Sequence, residues 1–273
     1  MPKYMPRETG ATPPSKELLL QELQTAPDPI GLILDSGLNF PTSVGLIADA
    51  NGRWAKDRGL PVTEGHMAGA ERVVEFLRAC ERIPSIQTIA VWAISPDNME
   101  KRTKKEVMGL MGLVVKYTTT LLPELMEKNA RFIHLGRKRG LPPYVADFFR
   151  ETEDSTANNT GQRAALAFNF GGQQERLDAI KDGICNSHQH FIETGELPDL
   201  TDGYLSQFED PYNIGYLDML IRTGGDLRTS GLGRIVDRAE LHFPPTPLPD
   251  FTERDLAMEL VDYSFREKRY GGR

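Results

Sequence analysis

Cysteine is scarce in this chain: Cys80 and Cys185 are the only two in 273 residues. That excludes a disulfide framework and a cysteine-built zinc site, and it fits a reducing compartment. Long apolar runs are missing as well. Nothing approaches the roughly 18 unbroken apolar residues of a membrane helix, which excludes a span of that kind. The opening stretch MPKYMPRETGATPPSKE lacks the apolar core of a secretory leader, so a cytoplasmic location is expected. Basic residues are in the minority, 32 against 39 acidic, for a net charge of −7. A general nucleic-acid binder leans basic, so no nucleic-acid partner is expected and any phosphate site must be local. There are no repeats and no low-complexity tract. What is present is an apolar fraction of 39% beside 26% charged residues, enough for a sizeable core and too much for a disordered chain.

Residues 1–42 read as an N-terminal extension, partly mobile, with one short helix at Lys16–Leu23 that Ser15 caps. A loop through Pro27, Asp28 and Pro29 to Pro41 is expected after it. Residues 43–273 then alternate short apolar runs with amphipathic stretches. Strands are expected at Val44–Ala48, Thr88–Ile94, Arg131–Leu135, Arg163–Phe170, Leu217–Ile221 and Glu240–Phe243. Helices are expected at His66–Cys80, Thr103–Lys128, Pro142–Glu153, Gln174–Glu193 and Glu253–Arg269. Such alternation predicts a single α/β domain, with a central, mostly parallel sheet of about six strands flanked by helices.

In parallel sheets ligands sit beyond the carboxyl ends of the strands. Polar chemistry recurs at those ends. Asp49-Ala-Asn-Gly-Arg-Trp follows the first strand, Ser95-Pro-Asp-Asn the second, Asn169-Phe-Gly-Gly the fourth, and Arg222-Thr-Gly-Gly-Asp-Leu-Arg-Thr-Ser the fifth. Arg222, Arg228 and Ser230 flank a glycine pair, a pattern that suits phosphate oxygens and equally a tight turn with surface ion pairs. Asp49 beside Arg53 reads either as an Asx turn or as a carboxylate that shares Mg²⁺ with substrate phosphates. Taken alone, His66 is more often a cap or packed side chain than a catalyst. Trp54, Trp92 and the apolar stripe of Thr103–Lys128 are ordinary core by default.

These segments together resemble the cis-prenyltransferase (undecaprenyl diphosphate synthase) family. Asp49-Ala-Asn-Gly-Arg-Trp-Ala-Lys with Gly65-His66-x-x-Gly69 is similar to its first signature, and Ser95-Pro-Asp-Asn98 to its second. Asn169-Phe-Gly-Gly, Ile221-Arg-Thr-Gly-Gly-Asp, Ala239-Glu-Leu-His-Phe, Pro249-Asp-Phe and the final Arg266-Glu-Lys-Arg-Tyr-Gly-Gly follow in the family's order, so the resemblance runs from about residue 43 to 272.

The resemblance implies a Mg²⁺-dependent transferase that adds isopentenyl diphosphate, in cis geometry, to an allylic diphosphate such as farnesyl diphosphate. The implied product is a polyprenyl diphosphate, such as the undecaprenyl carrier of wall glycans. It implies Asp49 and Asn98 as catalytic residues, with Asp49 and Glu240 on the metal. Ala50, Asn51, Gly52, Arg53, Trp54 and His66 would bind the allylic diphosphate. Ser95, Pro96, Asp97, Met99 and Arg102 would line the reacting centre, and Arg222, Arg228, Thr229 and Ser230 would take isopentenyl diphosphate. A hydrophobic tunnel between the sheet and two helices, like His66–Cys80 and Thr103–Lys128, would hold the growing chain. A homodimer is implied, its Arg269-Tyr270-Gly271 tail reaching the partner's site, and so is transient membrane contact for product release.

The alternatives on this scaffold are a synthase of short or branched products and a non-catalytic partner subunit, against which the retained Asp49 argues. Departures from the family pattern are Ala50 for glycine, Val62 for an arginine that Arg58 could replace, Met99 for an aromatic residue, and Asp226 for glutamate. The stretch after Asn98 is one residue longer, which leaves Lys101 or Arg102 in the arginine position, with Arg102 favoured, and the segment Gly231–Arg238 is one residue shorter.

Overall fold

The computed structural model describes residues 14–209, 213–229 and 231–267. Its centre is a six-stranded sheet: β1 (Ser43–Ile47), β2 (Thr88–Ile94), β3 (Arg131–Leu135), β4 (Arg163–Phe168), β5 (Met219–Arg222) and β6 (Glu240–His242). The strand order is β3-β4-β2-β1-β5-β6, and every neighbouring pair is parallel. Continuous apolar runs such as Ile89-Ala-Val-Trp are what a strand buried on both faces requires. The chain leaves β1 for β2 on one side and reaches β5 on the other. The order therefore reverses between β1 and β5, and a crevice opens there at the carboxyl ends.

Ten helices surround the sheet among the described residues. In chain order they are α1 (Lys16–Leu23), α2 (Pro29–Asp35), α3 (Asn51–Asp57), α4 (Val62–Glu81), α5 (Pro96–Lys101), α6 (Lys104–Glu127), α7 (Pro143–Thr156), α8 (Gly172–Thr194), α9 (Asp202–Ser206) and α10 (Glu253–Phe265). One face of the sheet is covered by α1, α2, α4 and α10 around Leu23, Ile33, Phe76, Ile89, Phe251 and Leu260. The opposite face packs Trp92, Phe170, Leu217 and Ile235. A third cluster centred on Phe149 and Phe168 joins α6 and α7 to the sheet edge. No helix among the described residues is long and apolar enough to cross a membrane.

One expectation for the N-terminal segment is corrected. The loop after Pro27 contains α2, whose Asp28 side chain accepts from the Gly31 N–H at 3.0 Å and whose first residue is Pro29. The segment also contributes side chains to the core. Leu23, Ile30 and Ile33 are fully buried, and Arg254 of α10 donates to the carbonyls of Leu23 and Ala26. The last helix is shorter than expected, ending at Phe265, and the tail Arg269-Tyr270-Gly271 lies outside the described residues.

Candidate active site

The crevice between β1 and β5 is where the sequence motifs meet. Register pairs Ile47 with Arg222, so the segment after β1 runs beside the loop after β5. Arg222, only 7% exposed at its side chain, donates to the Asp49 carboxylate from Nη2 at 2.6 Å and from Nε at 3.2 Å. Its Nη1 donates to the Arg228 carbonyl at 2.5 Å. The Thr223 hydroxyl is 3.1 Å from both the Asp49 N–H and the Asp49 carbonyl, which fixes that residue's backbone. Arg53, Arg222 and Arg228 all face the Asp226 carboxylate, at 3.0, 3.3 and 3.6 Å. Three guanidinium groups and two carboxylates thus form one cluster, a local excess of positive charge on an acidic protein.

Ala50 adopts a left-handed conformation with φ +68°. Such a backbone strains any residue with a Cβ. The neighbouring Gly224 makes it possible, since a Cβ there would come 2.4 Å from that of Ala50 and its own φ is +85°. Ala50 carries the chain into α3, which brings Asn51 to the crevice. Gly65 of α4 passes so close to α3 that a Cβ would meet the Asn51 carbonyl oxygen at 2.1 Å, and this contact sets where His66 stands.

An apolar cleft of about 150 Å³ leads away from the crevice between α4, α6 and the sheet. Val73, Val74 and Leu77 of α4 face Leu113, Val114 and Leu121 of α6 across it, above Val91, Ala93 and Leu166. At its polar end are Asn51, His66 and Arg102, with Ala48, the residue before Asp49, in its wall. His66 is buried and hydrogen bonds Glu106 at 3.1 Å through Nε2, while Arg102 reaches the same carboxylate at 3.5 Å. Burial pushes the His66 imidazole below its ordinary value and the Arg102 charge acts the same way, with the Glu106 hydrogen bond opposing. Glu106 is the functional candidate that sequence reasoning missed. The spacing Thr103-x-x-Glu106 gave a signal, and Thr103 does cap α6, accepting from the Glu106 N–H at 3.3 Å.

The remaining motif residues divide. Ser95 caps α5, accepting from the Asn98 N–H at 3.2 Å, so its hydroxyl has a structural task. Asn98 follows β2, the neighbour of β1, at the same end of the sheet as Asp49. Pro96 packs near Gly171. Asp97 points to solvent, paired with Lys101 at 2.9 Å, and Met99 packs on the apolar cluster that contains Ile94. Gly52 lies against Val62. Trp54 donates to Asp250 at 2.8 Å and carries the Arg58 guanidinium 4.4 Å over its ring. Arg58 is itself bound to Asp250 at 2.9 Å. Thr229 continues the β5 loop, and Ser230 lies outside the described residues.

Within one chain the structure does not bring Glu240 to Asp49. Register sets Glu240 against Met219, three residues before Arg222, roughly 10 Å toward the amino end of the strands. Its carboxylate accepts from Arg266 at 3.1 Å. Among the described residues no group of three His, Cys, Asp or Glu side chains could hold a metal by itself. A single carboxylate at Asp49, one-third exposed, still fits Mg²⁺, which takes one or two carboxylates and fills its shell with phosphate oxygens and water.

A protein-family sequence model described as "Putative undecaprenyl diphosphate synthase" matches residues 47–271. The chain belongs to that family. It is 36% identical over 237 residues to an isoprenyl transferase of Thermotoga maritima, covering 86% of this chain and 98% of that protein. An isoprenyl transferase of Clostridium acetobutylicum is 33% identical over 242 residues, 87% of this chain and 93% of that one. Among solved structures, lavandulyl diphosphate synthase from Lavandula x intermedia, in complex with dimethylallyl diphosphate, superposes with a TM-score of 0.76 at 28% identity over 85% of this chain and 99% of that one. A probable undecaprenyl diphosphate synthase from Campylobacter jejuni shares the fold, with a TM-score of 0.67 at 21% identity over 86% and 100% of the two chains. Membership of the family makes the protein a prenyl transferase.

Proposed function

We propose that the protein elongates an allylic diphosphate, with farnesyl diphosphate as the expected primer, by condensing it in cis geometry with isopentenyl diphosphate. The observation that carries this reading is the closeness in the chain of two unlike features: an arginine cluster around Asp49 and an apolar cleft whose lining includes Ala48 and Asn51, on either side of Asp49. A diphosphate with a hydrocarbon tail needs both. In each cycle the allylic C1–O bond breaks and its electron pair leaves with diphosphate. The isopentenyl double bond attacks C1 to form the new C–C bond, and a proton is lost to regenerate the alkene. The products are a chain one isoprene unit longer, diphosphate and a proton.

Arg222 and Arg228 would bind isopentenyl diphosphate through charge-assisted hydrogen bonds. Asn51, Arg53 and the Ala50–Gly52 backbone would face the allylic diphosphate, with neutral His66 and Arg102 held beside it by Glu106. The Asn98 side-chain amide is the candidate for receiving the proton. Asp49 would hold Mg²⁺, which when bound would offset the charge of the diphosphates and assist departure of the allylic one. The cleft would sheathe the growing chain.

A homodimer belongs to this reading. In its support, α8 exposes Leu177, Ile180, Ile184 and Phe191 over a 23-residue helix that buries only Ala179 and Gly183. In the same reading the enzyme works in the cytoplasm and touches membranes transiently to release product. A second reading, a short or branched product, has one supporting observation, the likeness to lavandulyl diphosphate synthase. Sizing the products formed from farnesyl and isopentenyl diphosphates separates the two.

A further inference from the structure

The Asp226 carboxylate faces three arginines that the elongation reading assigns to the substrate diphosphates. Its Oδ2 lies 3.0 Å from Arg53 Nη2 and 3.3 Å from Arg222 Nη2, and its Oδ1 lies 3.6 Å from Arg228 Nη2. One acid thus gathers three guanidinium groups from three places in the chain: α3, the end of β5 and the loop beyond. Arg222 is buried and needs a counter-charge whether or not substrate is present, because an unpaired buried charge is strongly destabilising. Arg53 and Arg228 are 54% and 77% exposed at their side chains, and Asp226 draws both inward.

The backbone carrying the carboxylate is fixed. The Gly224 N–H donates to the Thr246 carbonyl at 2.9 Å and the Gly225 N–H to the Pro244 carbonyl at 3.0 Å. Asp226 itself is one-third exposed and has two side-chain torsions, so it can rotate away while its loop stays in place.

We propose that Asp226 is a placeholder for the substrate diphosphate: its carboxylate organises the three arginines in the empty enzyme and is displaced when diphosphate arrives. This rests on the prenyl-elongation reading of the crevice and adds a residue whose negative charge works against binding. An anion entering the cluster takes over donors that Asp226 holds and is repelled by it until it leaves. A ligand with a single weak contact gains too little to displace it, whereas a diphosphate can engage Arg222 and Arg228 together, or Arg53 from the allylic side. The device therefore favours diphosphates over smaller anions.

Calorimetric titration of inorganic diphosphate into the full chain, in EDTA to exclude divalent cations, provides the test. Asp226→Asn keeps the shape and an acceptor but removes the charge, and should bind diphosphate about tenfold more tightly than the parent. Asp226→Glu, which restores the charge, should return the affinity to within about twofold of the parent. Asp237→Asn makes the same change of net charge on an exposed residue outside the cluster and should leave affinity unchanged. A residue that merely orients the arginines behaves oppositely. Unchanged or weaker binding by a folded Asp226→Asn protein, or no diphosphate binding by the parent, overturns the proposal. If the parent binds diphosphate yet makes no prenyl product, the elongation reading fails separately.

Discussion

At the scale of single residues, strain and charge concentrate around the crevice. Asp49→Ala removes the carboxylate that faces both Arg222 and the expected metal, and kcat should fall by about 100-fold or more in steady-state assays. Near-normal turnover would remove Asp49 from the chemistry. Gly224→Ala forces a Cβ to within 2.4 Å of the Ala50 methyl at a φ of +85° and should cost about 2–4 kcal/mol in urea unfolding. His134 tests the electrostatics away from the site. It stacks on Phe149, its Nε2 lies 3.0 Å from the Phe168 carbonyl, and burial, with Lys138 adding to it, pushes the imidazole down to about 3. The unfolded chain, with an ordinary value of 6.5, therefore binds more protons between those limits, and stability falls as the pH drops through 6.5. From pH 7 to pH 5 this one group should cost about 2 kcal/mol, a loss that His134→Gln should largely remove. Equal acid losses in parent and variant would contradict the assignment. His66 shifts in the same direction and its share should persist in the variant.

At the scale of elements, α4 and α6 form the walls of the cleft and are tied across it at four levels. His66 meets Glu106, Glu71 meets Tyr117 at 3.0 Å, Arg78 meets Glu124 at 2.5 Å and Glu81 meets Lys128 at 2.5 Å. Between these bridges the facing side chains are apolar, so bulk placed there should shorten the product without touching the crevice. Leu121→Trp is expected to shift the product distribution toward fewer isoprene units at little change in KM for isopentenyl diphosphate, read by chromatography of the extracted lipids. An unchanged distribution would mean the chain grows elsewhere. Both cleft helices were legible in the sequence because their apolar spacing runs through several turns. The short helices α2, α3 and α5 were not. Two of them begin with a cap followed by proline, Asp28-Pro29 and Ser95-Pro96, a pairing that suits the first turn of a helix as well as a loop. The third begins after an alanine in a left-handed conformation that nothing in its local sequence announces.

At the scale of the whole molecule, the parallel sheet and the meeting of its carboxyl-end motifs were legible from alternation alone, whereas the strand register was not. Register separates Glu240 from Asp49 within the chain, and tertiary packing makes α1 and α2 part of the core although the family match begins only at residue 47. Leu23→Ala should therefore cost about 2–5 kcal/mol despite its place near the amino end, because it empties a fully buried site against α10. The most direct test of the central claim is to incubate the full chain with farnesyl diphosphate, labelled isopentenyl diphosphate and Mg²⁺, and to size the extracted lipid. The account predicts a ladder of polyprenyl diphosphates, each step one isoprene unit, with the new double bonds in cis geometry. Label remaining wholly in isopentenyl diphosphate, or a product of trans geometry, would contradict it.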